Sequence, residues 1–254
     1  MSLTFGAAAS DRVNCGSSTS HDGLTVGTKA YICRPTSLGV TYSPRFMQKG
    51  LTANGDYRAM FFTGTTSLSG EVQRAGVDVK AQAVCTNFAA YALSTWMLMA
   101  FTWDINGIAS DQKLYIGNAT TPPAEPSAYA SQTVGDGALG DDSAADWIVG
   151  NNQNVNVAFL GDLAVQGVWS RQLTGAELGT WFNNPSDVGA NNIMLHSIGS
   201  NGTDTQHDYS GNGNHGAVTG ATVSTNKPPV GLWTPNISPI LTNHERDRTP
   251  LILR

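Results

Sequence analysis

With 254 residues the chain can bury a full core, as one large all-β sandwich or as two small domains. Only 13% of residues are charged and 28 are glycine, so the surface is dressed in Ser, Thr, Asn, Gln and Gly, which suits turn-rich β architecture and neutral partners. A net charge of -5 without any Lys/Arg run speaks against nucleic acid, and no stretch is apolar for long enough to span a membrane.

The opening residues, Met1 to Gly6, lack a basic region followed by an apolar run, which sets the expectation of a chain without a secretory signal, made in a cytosol. Leu3 and Phe5 alternate with Ser2 and Thr4, and Val13 and Cys15 follow a polar turn, so the start reads as a strand pair. Further strands are expected at 30–34, 57–62, 77–84, 96–103 and 113–116, separated by Gly, Asn, Ser and Pro clusters. Turns at that density predict an all-β sandwich.

The stretch 96–103 is apolar on both faces, with Trp96, Leu98 and Ala100 on one and Met97, Met99, Phe101 and Trp103 on the other. Such a strand must be covered twice, and a second layer of the same chain is the expected cover, with an interface to a neighbour as the alternative. Val157, Phe159, Leu163, Val165 and Trp169 read as one apolar face of a strand whose other side, with Asp162 and Gln166, is wet. Thr174 and Glu177 then have capping-box spacing, and Leu178, Trp181 and Phe182 make the apolar stripe of a short helix that would seal one edge.

After the helix come strand candidates at 193–198 and 217–223, flanking a Gly/Asn-rich turn at 208–216. From residue 227 onward the prolines Pro228, Pro229, Pro235, Pro239 and Pro250 preclude a central strand or a good helix. That segment, 227–254, reads as an extended arm, with Trp233, Pro235, Arg246, Arg248, Leu251 and Arg254 as candidate partner-binding residues.

Three cysteines at wide spacing, Cys15, Cys33 and Cys85, fit neither a disulfide framework nor a zinc site and read as buried free thiols. The five histidines are scattered and read as surface or turn residues. Asp136, Asp141 and Asp142 form an acidic Gly-rich loop, read first as solvated and alternatively as a calcium site built from oxygen ligands. No strand carries the two alternate carboxylates that glycoside hydrolysis requires, so no enzyme is expected.

Several stretches together resemble the laminin-G-like jelly rolls of the concanavalin A superfamily. Residues 2–6 and 11–16 look like that family's opening strand pair, and 96–102 with 114–116 like its central Trp and Leu-Tyr strands. The block 147–150, 159–165 and 169–174 with Glu177 and Leu178 is similar to its closing strands and short helix. The resemblance implies a two-sheet antiparallel jelly roll over residues 1–226. The turn order Gly117-Asn118, with a Pro-rich loop after it, departs from the family and implies a longer hairpin. Placement of 208–216 after the helix reads as a circular permutation in which 193–223 supplies the strand that usually comes first.

Such jelly rolls are ordinarily displayed outside cells, whereas this sequence opens on a strand with no export signal. A bacteriophage virion protein reconciles the two, either a capsid decoration subunit or a tail accessory, made in the host cytoplasm and holding other virion subunits by shape and by its arm. By resemblance to capsid decorations a homotrimer is the guess. The alternative is a carbohydrate-binding module that reads a host surface glycan through its edge loops, with calcium at the three aspartates.

Overall fold

The computed structural model describes residues 1–229 apart from 7–9, 40–42, 52–56, 65, 75–79, 87, 89–90 and 188. In chain order the strands are β1 (Leu3–Phe5), β2 (Arg12–Asn14), β3 (Val26–Pro35), β4 (Arg45–Lys49), β5 (Arg58–Thr63), β6 (Ser67–Gln73), β7 (Lys80–Cys85), β8 (Met97–Asp104), β9 (Lys113–Asn118), β10 (Ser131–Thr133), β11 (Trp147–Val149) and β12 (Gly161–Trp169). Helix α1 (Gly175–Asn183) follows, then β13 (Asn192–Ser197), β14 (Ala217–Thr219) and β15 (Thr222–Val223).

The strands form two antiparallel sheets, and the chain is an all-β sandwich with one short helix. One sheet runs β15-β1-β12-β3-β8-β9, with β13 also paired to β12; the other runs β10-β7-β6-β5-β4-β11-β2-β14. In β12, residues 161–163 pair with β1 and 165–169 with β13, so the strand after the helix continues the line of the first strand. Strands β14 and β15 return to β2 and β1, and the Ser2 Oγ hydrogen bond to the Asn226 carbonyl at 2.7 Å fixes the chain beyond them.

The core between the sheets is aromatic. Phe46 centres it, with Phe62 and Phe159 each 4.9 Å away between ring centroids and Tyr31 at 5.7 Å. Met97, Met99, Phe101 and Trp103 of β8 all point into this core, so that face is internal. Gly70 leaves the room that Phe101 fills, since a Cβ there would lie 2.3 Å from its ring.

The opposite face of β8 is covered as well. Leu98 and Ala100 join Ala30, Ile32, Val165 and Trp169 under Leu178, Trp181 and Phe182 of α1. The helix therefore covers a sheet face and not an edge. It starts at the expected capping box, where Thr174 Oγ1 accepts from the Glu177 amide at 3.2 Å and Glu177 Oε2 accepts from the Thr174 amide at 2.8 Å.

Strand β12 departs from its expected pattern. All nine residues are buried, and Leu163 lies in the inter-sheet core while Val165 and Trp169 lie under the helix. The cause is a bulge against β3 between Leu163 and Val165, which reverses the facing of every residue beyond it. Gln166, beyond the bulge, is turned inward and bonds to His196, and Asp162, before it, is also not wet because it binds Arg34 at 2.9 Å and Thr4 at 2.5 Å. After β9, the Pro-rich loop folds back through a bridge between Ile116 and Ala124, the longer hairpin expected there. Cys15, Cys33 and Cys85 are free and buried, as read from the sequence.

One core residue breaks the apolar rule. Lys29 of β3 is 1% exposed, with its ammonium nitrogen 3.4 Å from the Met47 sulfur and 5.3 Å from the Phe101 ring centre. Burial, reinforced by the nearby Arg58 charge, lowers its pKa well below the ordinary 10.5. A depressed lysine makes the unfolded chain the better proton binder below 10.5, so stability rises with pH toward that value. Lys29→Met should stabilise the fold at neutral pH by about 1–3 kcal/mol and flatten its rise toward alkaline pH. Urea unfolding of both proteins at pH 7 and pH 9 measures this, and a destabilised variant with an unchanged pH slope would contradict it.

Candidate functional site

The six candidate arm residues, Trp233, Pro235, Arg246, Arg248, Leu251 and Arg254, lie outside the described residues. The three aspartates of the calcium reading are separated by role. Asp136 and Asp141 are exposed, and Asp141 Oδ1 accepts from the Ser143 amide at 3.0 Å. Asp142 is buried and turned inward, paired with Arg58 and 3.6 Å from Lys49, while its other oxygen accepts from the Gly23 amide at 2.9 Å. Lys49 also reaches Asp22 at 2.5 Å, so two cations and two carboxylates neutralise one another inside the fold. A carboxylate held by Arg58 and Lys49 is a counterion for them and is not free for calcium. Among the described residues no group of three His, Cys, Asp or Glu side chains is placed to hold a metal.

Two histidines expected at the surface are buried. His21 lies 3.1 Å from the Lys49 ammonium, and His196 bonds to Gln166 and to the Asn214 carbonyl. Burial, together with the adjacent Lys49 charge at His21, lowers both to about 4. The Gly/Asn-rich segment is turn chemistry, as expected. Burial pushes the Asp208 carboxyl up, and the amides of Leu195, Ser210 and Asn214, each at 2.9 Å, more than offset this by binding the ionised form.

A further polar cluster lies elsewhere, on the face of the eight-stranded sheet turned away from the core, where most of the side chains are nonetheless buried. Strand alternation sends Met60, Phe62, Leu68 and Val72 inward, which leaves Tyr57, Ala59, Phe61, Ser69 and Glu71 on the other side. Cross-strand register then lines up Asn14, Ile148, Gln48, Ala59, Glu71, Gln82 and Thr133 in one row across seven strands. A second row places Arg45, Phe61, Ser69, Val84 and Ser131 beside it.

Within these rows the Arg45 guanidinium lies over the Phe61 ring, 3.8 Å from its centre, and donates through Nε to Gln48 Oε1 at 3.3 Å. Its Nη1 is buried with no hydrogen-bond partner among the described residues. Glu71 accepts from Lys80 at 2.9 Å and from Ser69 Oγ at 3.2 Å. Gln82 donates to Ser131 Oγ at 2.9 Å. Arg45, Lys80 and Gln82 are half-buried, whereas Gln48, Ser69 and Glu71 are buried between them. Arg45, Lys80 and Glu71 leave a formal charge of +1.

Neither β4 nor β6 is legible as a strand in the sequence. A bulge between Arg45 and Met47 sends Phe46 and Met47 into the same core and erases the period of two in β4. In β6 the middle inward position is Gly70, whose space Phe101 occupies from the other sheet. The alternation Leu68, Gly70, Val72 against Ser69, Glu71, Gln73 was the available signal.

Neither a protein-family model nor a curated protein matches this sequence. Solved structures do match. The chain is similar to a Bacteroides ovatus protein described as a "putative carbohydrate binding protein", at 13% identity and a TM-score of 0.61 over 91% of this chain and 61% of that one. It is also similar to tailspike protein 2 of bacteriophage CAB120 of Escherichia coli O157:H7, at 12% identity and a TM-score of 0.50 over 78% of this chain and 30% of that one. Domains LG4-5 of the mouse laminin alpha1 chain align at 15% identity and a TM-score of 0.41 over 68% of this chain and 44% of that one. The chain thus spans about three fifths of the Bacteroides protein's length. At these identities the likeness shows the fold alone, a two-sheet jelly-roll sandwich shared with the Bacteroides protein and with part of the tailspike.

Two stability outcomes follow. For Asp142→Ala, which removes the buried carboxylate paired with Arg58 and close to Lys49, a loss of about 3–5 kcal/mol is expected, against changes within about 0.5 kcal/mol for Asp136→Ala and Asp141→Ala. Chemical denaturation of the three variants measures the contrast, and equal effects would contradict it. Histidines held near 4 against an ordinary 6.5 bind fewer protons folded than unfolded, so stability should fall as pH drops from about 6.5 to about 4. Unfolding midpoints across that range should fall less steeply in His196→Gln; an identical slope would count against the buried neutral imidazole.

Proposed function

We propose that this protein is a non-catalytic glycan-binding module that holds a neutral or singly acidic sugar chain against the outer face of its eight-stranded sheet. The observation that carries the reading is Arg45, stacked on Phe61 with its buried Nη1 without an acceptor among the described residues, at the edge of a row of amide, hydroxyl and carboxylate groups. Sugars present hydroxyls that donate and accept at regular spacing, and planar amides and guanidinium groups are their complement. Strand neighbours about 4.8 Å apart place such groups at intervals suited to successive hydroxyls.

The positive charge of this face favours a carboxylate-bearing glycan over a cationic one. Glu71 is the single carboxylate in its row and is bound by Lys80, so the row offers recognition and not the two-carboxylate chemistry of glycoside hydrolysis. The fold shared with the Bacteroides protein supports the same reading.

A virion subunit is the second reading, favoured by the fold shared with part of a phage tailspike. In that case the protein is made in a host cytoplasm and attaches to capsid or tail proteins, as a homotrimer, through residues 231–254.

A glycan array with and without EDTA tests both readings. The first expects saturable binding to neutral or acidic glycans, reduced about tenfold or more in Arg45→Ala and Glu71→Gln. An EDTA-sensitive signal would bring calcium at Asp136 and Asp141 back into play. No signal in either condition, with attachment to particles lost on deleting 231–254, would favour the virion reading.

A further inference from the structure

A cavity lies on the other layer, between α1 and the sheet beneath it. It measures about 210 Å³ and is lined by Trp169, Trp181, Arg171, Glu177, Thr180 and Asp187 among others. Pockets for drug-sized ligands are larger, about 300–1,000 Å³, so the space suits a single small ring. Two indoles line it, Trp169 and Trp181, edge to face with centroids 5.3 Å apart. Gly167 makes their approach possible, because a Cβ at that position would lie 2.3 Å from the Trp169 ring and 2.9 Å from that of Trp181.

Trp181 is 1% exposed, and its ring N–H has no acceptor among the described residues. A buried donor without a partner costs about 1–3 kcal/mol, a cost that an acceptor entering the cavity would remove. The charged groups around it decide what kind of acceptor. Arg171 is committed to Glu177 at 2.7 Å and to the Ala190 carbonyl at 3.1 Å, and Glu177 also holds the helix cap. Asp187 and Thr180 are exposed at the rim. One cation against two carboxylates leaves a formal charge of -1, which disfavours an anionic ligand. A hydroxyl is the neutral group that can accept from an indole N–H and also donate to a carboxylate. The apolar C–H edge of a sugar ring, in turn, packs against indole surface.

We propose that this cavity is a binding site for one neutral, pyranose-sized polyol, with a hydroxyl oxygen accepting from Trp181 Nε1 and a neighbouring hydroxyl donating to Asp187. The site is on the opposite layer from the Arg45 row and does not depend on it.

Protein labelled with 5-fluorotryptophan and observed by fluorine NMR tests the proposal, with Trp181→Phe and Trp169→Phe used only to assign resonances. Titration with glucose, galactose, mannose and N-acetylglucosamine should shift the Trp181 and Trp169 resonances saturably, in the millimolar range expected of a single ring. Asp187→Ala should weaken the binding about fivefold, and Thr180→Arg, an exposed change at the cavity rim, should abolish it. Arg45→Ala should leave these shifts intact, so failure of the sheet-face reading and failure of this one are separable. A Trp181 resonance unmoved by all four sugars, or shifted equally in Thr180→Arg, would overturn the proposal, as would a response to acetate alone.

Discussion

The structure depends on exclusion of water from the space between two sheets by a packed set of aromatic rings. Phe46 touches Tyr31, Phe62 and Phe159, and Phe101 lies against Trp103 and over Gly70, so both layers are tied through a few large contacts. Each such ring contributes far more buried area than an aliphatic side chain, which lets short strands sustain a large sandwich. Once those rings point inward, strand geometry commits the alternate residues to the outside. The polar rows on the eight-stranded sheet are a direct consequence of the core.

The two outer faces are finished differently. On the seven-stranded sheet, residues such as Ile32, Leu98 and Trp169 are apolar, and α1 covers them. On the other sheet the corresponding positions carry Arg45, Gln48, Glu71 and Gln82, which hydrogen-bond among themselves and with neighbouring strands. A helix-covered face is a continuation of the core, whereas the other face is finished by polar side chains that satisfy one another.

Charge is handled inside the fold to an unusual degree for a chain with so few charged residues. Lys49 and Arg58 are neutralised by Asp22 and Asp142, and Asp162 joins Arg34 to the segment at Asn226. Lys29 has no such carboxylate partner among the described residues and is depressed by burial. Lys29, together with the buried His21 and His196, makes the stability of the fold respond to pH from within the core.

The sequence by itself determined the class of fold, the double coverage of β8, the buried thiols and the capped helix; the opening strand pair it suggests is not formed, since β1 pairs with β12 and β15 in one sheet and β2 with β11 and β14 in the other. Each of these rests on local patterns: period-two alternation, Thr174 and Glu177 at capping distance, and cysteines too far apart in type and spacing for a framework. Only the tertiary structure decided what depends on register and on distant partners. The bulges in β4 and β12 turn residues to faces that no local period reveals, and Gly70 becomes a core position only because Phe101 enters from the other sheet. Asp142 looks like a loop carboxylate until Arg58 and Lys49, from strands nearly a hundred residues earlier, are folded against it, and the row from Asn14 to Thr133 exists only through the pairing of seven strands.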